Sequence, residues 1–395
     1  MSFSLVLFDD CSSRERLRPL TTTRPTGNLR VGIWTLDQKW HHAFDADVAY
    51  LTQDYLREKF PMPPMDSEGY LIIDGRVLPN AELVDEIWGL QLNQKLISDD
   101  GDWIALKLAT LDDFNVPALE RAVAVLSHSR INRLHYPEDI YLNNADQIRF
   151  DLDCMGIQAV GADGYPDSHF LGTSIYIDKN AVLKHCILDA TQGPIYIGEG
   201  VVIEAGAVIH GPAAIGAGCR VKSGTVVYSN VSVGVNCTIC GELNNTVIWG
   251  NSAKGHLGYL GCAVVGEGCN IGAGTNNSNL RNDWKTVRLY DYSQAGMRDT
   301  GLQKCGVIIG DHVMLGIGCK INTGTVIGVG AQIAISNFIP KFVPDFGWLT
   351  DLTQDRYIFA AFIAMLQRKA LVKGECFGHE EEKILSLVYE ESRNV

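Results

Sequence analysis

The chain has 395 residues, a net charge of −13 and 46% apolar residues. That length is more than one ordinary core needs and points to two domains or more. The acidic balance argues against a general nucleic-acid or anionic-membrane partner, because phosphate surfaces are bound by a basic excess. The N-terminus runs Met1-Ser2-Phe3-Ser4 straight into an apolar Leu5-Val6-Leu7-Phe8, with no leader pattern. The longest apolar run near the C-terminus, Tyr357 to Leu366, is about half of the roughly 20 residues that cross a bilayer. A cytoplasmic protein without membrane association is expected.

Residues 1–150 carry no repeat. Strand-like pieces such as Tyr70-Leu71-Ile72-Ile73-Asp74-Gly75 alternate with helix-like ones such as Pro79 to Leu92, a mixture that predicts an α/β domain. Trp34, Trp40, Trp88 and Trp103 read as packing residues, and His41-His42 as a helix or loop surface. Within this region Arg16-Leu17-Arg18-Pro19-Leu20-Thr21 resembles the "RLRPLT" segment of the sugar-phosphate nucleotidyltransferase family, which includes the glucose-1-phosphate thymidylyltransferases. The resemblance implies a nucleotidyltransferase-like sandwich, a sugar 1-phosphate and UTP or dTTP as substrates, and Mg²⁺ where the domain is active. It also implies nucleotide contacts from Arg16, Arg18 and Arg24. The chain departs from that pattern in three places. No glycine lies between Asp9 and Arg24, although close approach of backbone to phosphate favours glycine. Thr26 replaces a lysine, and Gly75-Arg76 stands where a metal-binding aspartate is expected, with Asp74 as a substitute. No residue is assigned to a metal, and use of the domain for assembly or sugar-nucleotide sensing stays open.

From Ile197 the sequence repeats every six residues. Ile197, Ile203, Ile209, Ile215, Val221, Val227, Val233 and Ile239 open successive units, and small residues such as Ala207, Cys219 and Cys237 occupy the fifth position. Neither a helix nor an alternating strand has that period. A triangular coil with three short strands per turn does, so a left-handed parallel β-helix is expected over 172–337. Cys219, Cys237, Cys269 and Cys319 all fall at fifth positions, and the chain has no Cys-x-x-Cys. They read as buried reduced thiols.

The register breaks at Glu242, resumes at Val265 and Ile271, and is interrupted again up to about Gly306. A flawless coil presents only its packing, so function is expected at such breaks. Lys254-x-His256-Leu257-x-Tyr259-x-Gly261, followed by Asn270-Ile271-Gly272-Ala273-Gly274-Thr275 and Asn279-Leu280-Arg281, resembles the acetyltransferase half of the bifunctional N-acetylglucosamine-1-phosphate uridyltransferase family. The resemblance implies acetyl transfer from acetyl-CoA to an amino-sugar 1-phosphate, with His256 as general base. An imidazole suits that role because its pKa lies near neutrality. Tyr259, Asn279, Lys285 and Lys254 correspond to substrate-binding positions, and Arg220 and Lys222 to upstream phosphate contacts. A homotrimer with acyl-CoA in the groove between coils is likewise implied. The closely spaced histidine pairs of a β-helix carbonic anhydrase are missing around His256. Beyond Pro340, residues 340–395 are expected to leave the coil as a helical cap, with helices over Arg356–Lys373 and Glu380–Arg393. Three functions remain in competition: the acetyltransferase, a nucleotidyltransferase with the β-helix as trimer scaffold, and a non-catalytic sugar-nucleotide scaffold.

Overall fold

The computed structural model describes residues 3–65, 67–111, 114 and 116–392. Met1, Ser2 and Arg393 therefore lie outside the described residues. The chain divides into two compact units, the first holding residues up to Leu17, Arg24–Leu29 and Trp34–Tyr136, the second Arg18–Thr23, Arg30–Ile33 and the chain from Pro137 onward.

The first unit is built on a six-stranded mixed sheet in the order Val48–Leu51, Ser4–Phe8, Tyr70–Asp74, Trp103–Leu108, Gln94–Ile97, Val123–Leu126. Its first three strands are parallel, and alternate residues such as Val6, Ile72 and Leu106 meet in one buried cluster. Among the described residues its α-helices are α1 (Cys11–Arg16), α2 (Leu36–Phe44), α3 (Ala81–Trp88) and α4 (Val116–Arg121). Asn80 caps α3 by accepting from the Leu83 N–H, and Asp10 caps α1 from Ser13. His42 stacks on Trp34 with ring centroids 4.0 Å apart. Trp40 is fully buried, whereas Trp88 is half exposed and stacks on Phe44.

The second unit is a parallel β-helix. Ile197 pairs in register with Ile215 and that with Val233, while Ile203 pairs with Val221 and that with Ile239. Each full turn therefore consumes three hexads, and the unit-opening aliphatics are fully or almost fully buried in one continuous core. Each such side chain stabilises the coil by roughly 1.5–3 kcal/mol relative to exposure. Cys219, Cys237, Cys269 and Cys319 are buried free thiols at the fifth positions. The Cys219 thiol donates to the Gly234 carbonyl at 2.9 Å and accepts from the Cys237 N–H.

Helix α5 (Asp139–Met155) lays Ile148 and Leu152 over Ala214, beside Tyr176 and Tyr196. The second interruption is an antiparallel hairpin, Arg288–Asp291 with Gly296–Asp299, whose Tyr290 stacks on Phe342 at 3.7 Å. The coil does not end at Pro340. Phe342–Val343 and Gly347–Thr350 pair with earlier turns, because the proline sits in a corner rather than in a ladder strand. Helices α6 (Phe359–Lys373) and α7 (His379–Glu391) then pack on Phe346 through Phe362 and Tyr389. Among the described residues no helix is long and apolar enough to cross a membrane.

Candidate functional site

The break at Glu242 is a shortened turn rather than an exit from the coil. Val231 pairs with Thr246, and Ile239 with Lys254, so this turn is three residues shorter than the turns before it. The slip carries Lys254 into the inward column between Ile239 and Ile271, where other turns hold an aliphatic. Lys254 is 2% exposed, and its ammonium donates to the carbonyls of Cys240 at 3.3 Å and His256 at 2.5 Å. Burial presses its pKa down to about 8. A lysine so placed cannot contact a sugar phosphate, which corrects the substrate-binding role expected of it; it is an internal strut.

That strut is one of four holding the turn Gly255-His256-Leu257-Gly258. The Gly255 carbonyl accepts from Lys222 Nζ at 2.9 Å, the His256 carbonyl from Lys254, the Leu257 carbonyl from the Gly274 N–H at 3.0 Å, and the Gly258 carbonyl from the Glu242 N–H at 3.1 Å. Four consecutive carbonyls are thus fixed, while the His256 and Leu257 side chains face solvent, Leu257 at 71% exposure. Gly258 has φ +134°, and a Cβ there would lie 2.1 Å from the Thr275 carbonyl oxygen, so only glycine closes this corner.

Beside the turn, Tyr259 and Asn279 come together. Asn279 Nδ2 donates to the Tyr259 hydroxyl at 3.1 Å and lies 3.4 Å from the Cys262 sulfur. The Tyr259 ring folds back over Gly261, where a Cβ would sit 2.2 Å from the hydroxyl oxygen. Burial, reinforced by Cys262, raises the Tyr259 pKa, so the phenol remains a neutral donor. Asn277 clamps the same strand from both sides, accepting from the Gly261 N–H at 2.8 Å and donating to its carbonyl at 2.9 Å. The result is a rigid polar shelf with one exposed imidazole, one phenol and one amide.

Lys285 is exposed on the loop after Asn279, its backbone N–H turned to Asp283. Arg281 on that loop is engaged bidentately by Asp283. Arg220 pairs with Glu204 at 2.9 Å, whereas Lys222 reaches the His256 turn. Sequence reading passed over Asp189, His210 and Tyr228, which form an outward column: Asp189 contacts His210 Nδ1 at 3.2 Å, and His210 stacks on Tyr228. Their signal was recurrence at the position just after an inward aliphatic, at Leu188, Ile209 and Val227.

The three arginines of the N-terminal motif are distributed over both units. Arg16 lies 6.0 Å from the Tyr136 ring and Arg24 is buried against Asn28, both in the first unit. Arg18 belongs to the second unit, where it pairs with Asp345 at 2.8 Å and covers Tyr292. In place of a glycine-rich cradle the chain forms α1, and the Asp9 carboxylate accepts from the Thr26 N–H and the Thr52 hydroxyl and forms an ion pair with Arg14. Asp74 is paired with Arg76 and Arg133 at 2.7 and 3.2 Å. These carboxylates are matched by guanidinium groups and do not fit a divalent cation, and among the described residues no group of three acidic, histidine or cysteine side chains does.

Two regions of the chain match known families. Residues 5–157 match the sugar nucleotidyl transferase family model, and residues 194–229 match the bacterial transferase hexapeptide (six repeats) model. A "Bifunctional protein GlmU" from Methanocaldococcus jannaschii is 35% identical over 100 residues, 25% of this chain and 24% of that protein. A "Bifunctional sugar-1-phosphate nucleotidylyltransferase/acetyltransferase" from Sulfurisphaera tokodaii is 41% identical over 93 residues, 23% of this chain and 22% of that protein. The chain thus spans about a quarter of the length of these relatives. A solved hexapeptide transferase family protein from Anaplasma phagocytophilum matches at 17% identity over 56% of this chain and 96% of its own, with a TM-score of 0.23. The families matched by both regions are transferase families.

Proposed function

We propose, from a sugar nucleotidyl transferase-type domain joined to a transferase hexapeptide solenoid, that this chain is a sugar-phosphate transferase of nucleotide-sugar biosynthesis. Its reaction is acetyl transfer from acetyl-CoA to an amino-sugar 1-phosphate, with a homotrimer as the working assembly. The supporting observation is the fixed turn at Gly255–Gly258, which presents His256 to solvent beside Tyr259 and Asn279. In this reading the His256 imidazole takes the proton of the attacking amine as the C–N bond forms at the thioester carbonyl. The tetrahedral intermediate expels the CoA thiolate, which receives that proton. Tyr259 and Asn279 hold sugar hydroxyls, and Lys285 meets the phosphate. Asp9 and Asp74 are held by guanidinium groups and are assigned no role toward Mg²⁺.

The experiment supplies acetyl-CoA and glucosamine 1-phosphate and follows the acetylated product by mass. His256→Ala is expected to lower the rate by about 10²–10⁴ without changing the melting temperature. Equal rates in the two proteins would sink the proposal. Pyrophosphate release from UTP or dTTP with a sugar 1-phosphate and Mg²⁺, undiminished in His256→Ala, would instead favour nucleotidyl transfer, the reading that the match over residues 5–157 supports.

A further inference from the structure

A cavity of about 670 Å³ lies between another edge of the solenoid and helices α6 and α7. That volume is in the range of small-molecule sites, roughly 300–1,000 Å³. Its solenoid wall is a column of corner residues with left-handed backbone, among them Asn236, Asn251 and His312 at φ 56°, 58° and 58°. The asparagine amides hydrogen-bond along the edge, Asn236 to Asn251 at 3.4 Å and Asn251 to Glu267 at 3.2 Å. The helical wall brings Lys369 and Lys373, both within 4 Å of Glu375.

His312 is the informative member. It is 7% exposed, and its Nε2 contacts Glu381 at 2.9 Å, which places the ring proton there. Its Nδ1 has no protein partner, an unusual state for a buried polar atom. That nitrogen borders the space over Gly268, where a Cβ would sit 2.6 Å from it and 3.2 Å from Lys369 Nζ. The missing side chain at Gly268 keeps open a spot that has one acceptor and one donor to offer.

The charges around the cavity are interleaved: Lys369 and Lys373 against Glu267, Glu375 and Glu381. Such a wall gives no net attraction to a triphosphate or to coenzyme A. It suits a ligand that donates to Nδ1, accepts from an ammonium and lays an apolar face on half-buried Phe377. We propose that this cavity binds an uncharged, hydroxyl-rich ring of the monosaccharide class, independently of the His256 turn.

Saturation-transfer NMR and calorimetry on the full chain, with glucose and N-acetylglucosamine as probes, test this. Wild type and His256→Ala are expected to bind at least one probe equally well. His312→Asn, which suits the left-handed backbone, is expected to weaken binding at least tenfold, and Cys376→Trp at the exposed rim to abolish it. Absence of binding to wild type would overturn the proposal, as would binding that survives both cavity variants. Loss of binding in His256→Ala would move the ligand to the other site, and stronger binding of tripolyphosphate, sensitive to His312→Asn, would refute the uncharged class.

Discussion

Two stretches of the same solenoid behave oppositely. Between Ile197 and Val233 every hexad opens on a buried aliphatic, and the backbone pairs chiefly with the backbone of neighbouring turns. Between Glu242 and Gly261 the turn is shortened, a lysine enters the column, and side chains of Lys222, Lys254 and Asn277 take over carbonyl pairing. Regular coils are stabilised by burial that many sequences could provide. The shortened turn relies on a few specific hydrogen bonds, and it is there that an imidazole is presented to solvent from a fixed backbone.

Substitutions can sharpen or dissolve that contrast. Gly258→Val should be the most damaging, since it combines a strained φ with a clash against the Thr275 carbonyl. A loss of about 3–5 kcal/mol in denaturant melts is expected. Ile215→Ala in the regular region should cost roughly 2–5 kcal/mol through lost burial and a cavity, leaving per-molecule acetyl transfer unchanged in the folded protein. Lys254→Met separates the two regions by pH. Burial holds the folded pKa near 8, below the ordinary value of 10.5, so across that window the unfolded chain binds more protons and stability rises with pH. The variant should lack this rise, and any stability advantage it has below pH 8 should shrink, by on the order of 3 kcal/mol, as pH approaches 10.5. Parallel pH–stability curves for the two proteins would show that the ammonium is not buried as described. Smallest is Tyr259→Phe, which removes one acceptor from Asn279 and should cost about 1 kcal/mol in melts.

The solenoid was legible because its signal is redundant: hexad after hexad repeats one packing problem, and Ile203, Val221 and Ile239 each announce the same column. His256 and Tyr259 were legible as a motif, and their surroundings were not. Nothing in Ala253-Lys254-Gly255 tells a reader that a three-residue slip turns the lysine inward, because lysine ordinarily reads as solvent-facing. Pro340 suggested an end to the coil, yet a corner has no ladder N–H to lose and the strands continue to Thr350. Arg18 read as a nucleotide contact, but Asp345 lies 327 residues away, and such pairings leave no local trace. His312 carries no motif of its own, and only the tertiary packing of α6 and α7 pairs its Nε2 with Glu381 and leaves Nδ1 without a protein partner.

The short strap Arg18–Thr23 supplies partners to two buried carboxylates of the solenoid. Arg18 neutralises Asp345, and Thr23 donates to Asp311, both carboxylates at most 5% exposed. A hexapeptide module transplanted behind a different leading domain would forfeit that counter-charge. The strap is therefore part of the coil's own electrostatics: without Arg18 the buried Asp345 carboxylate loses its counter-charge.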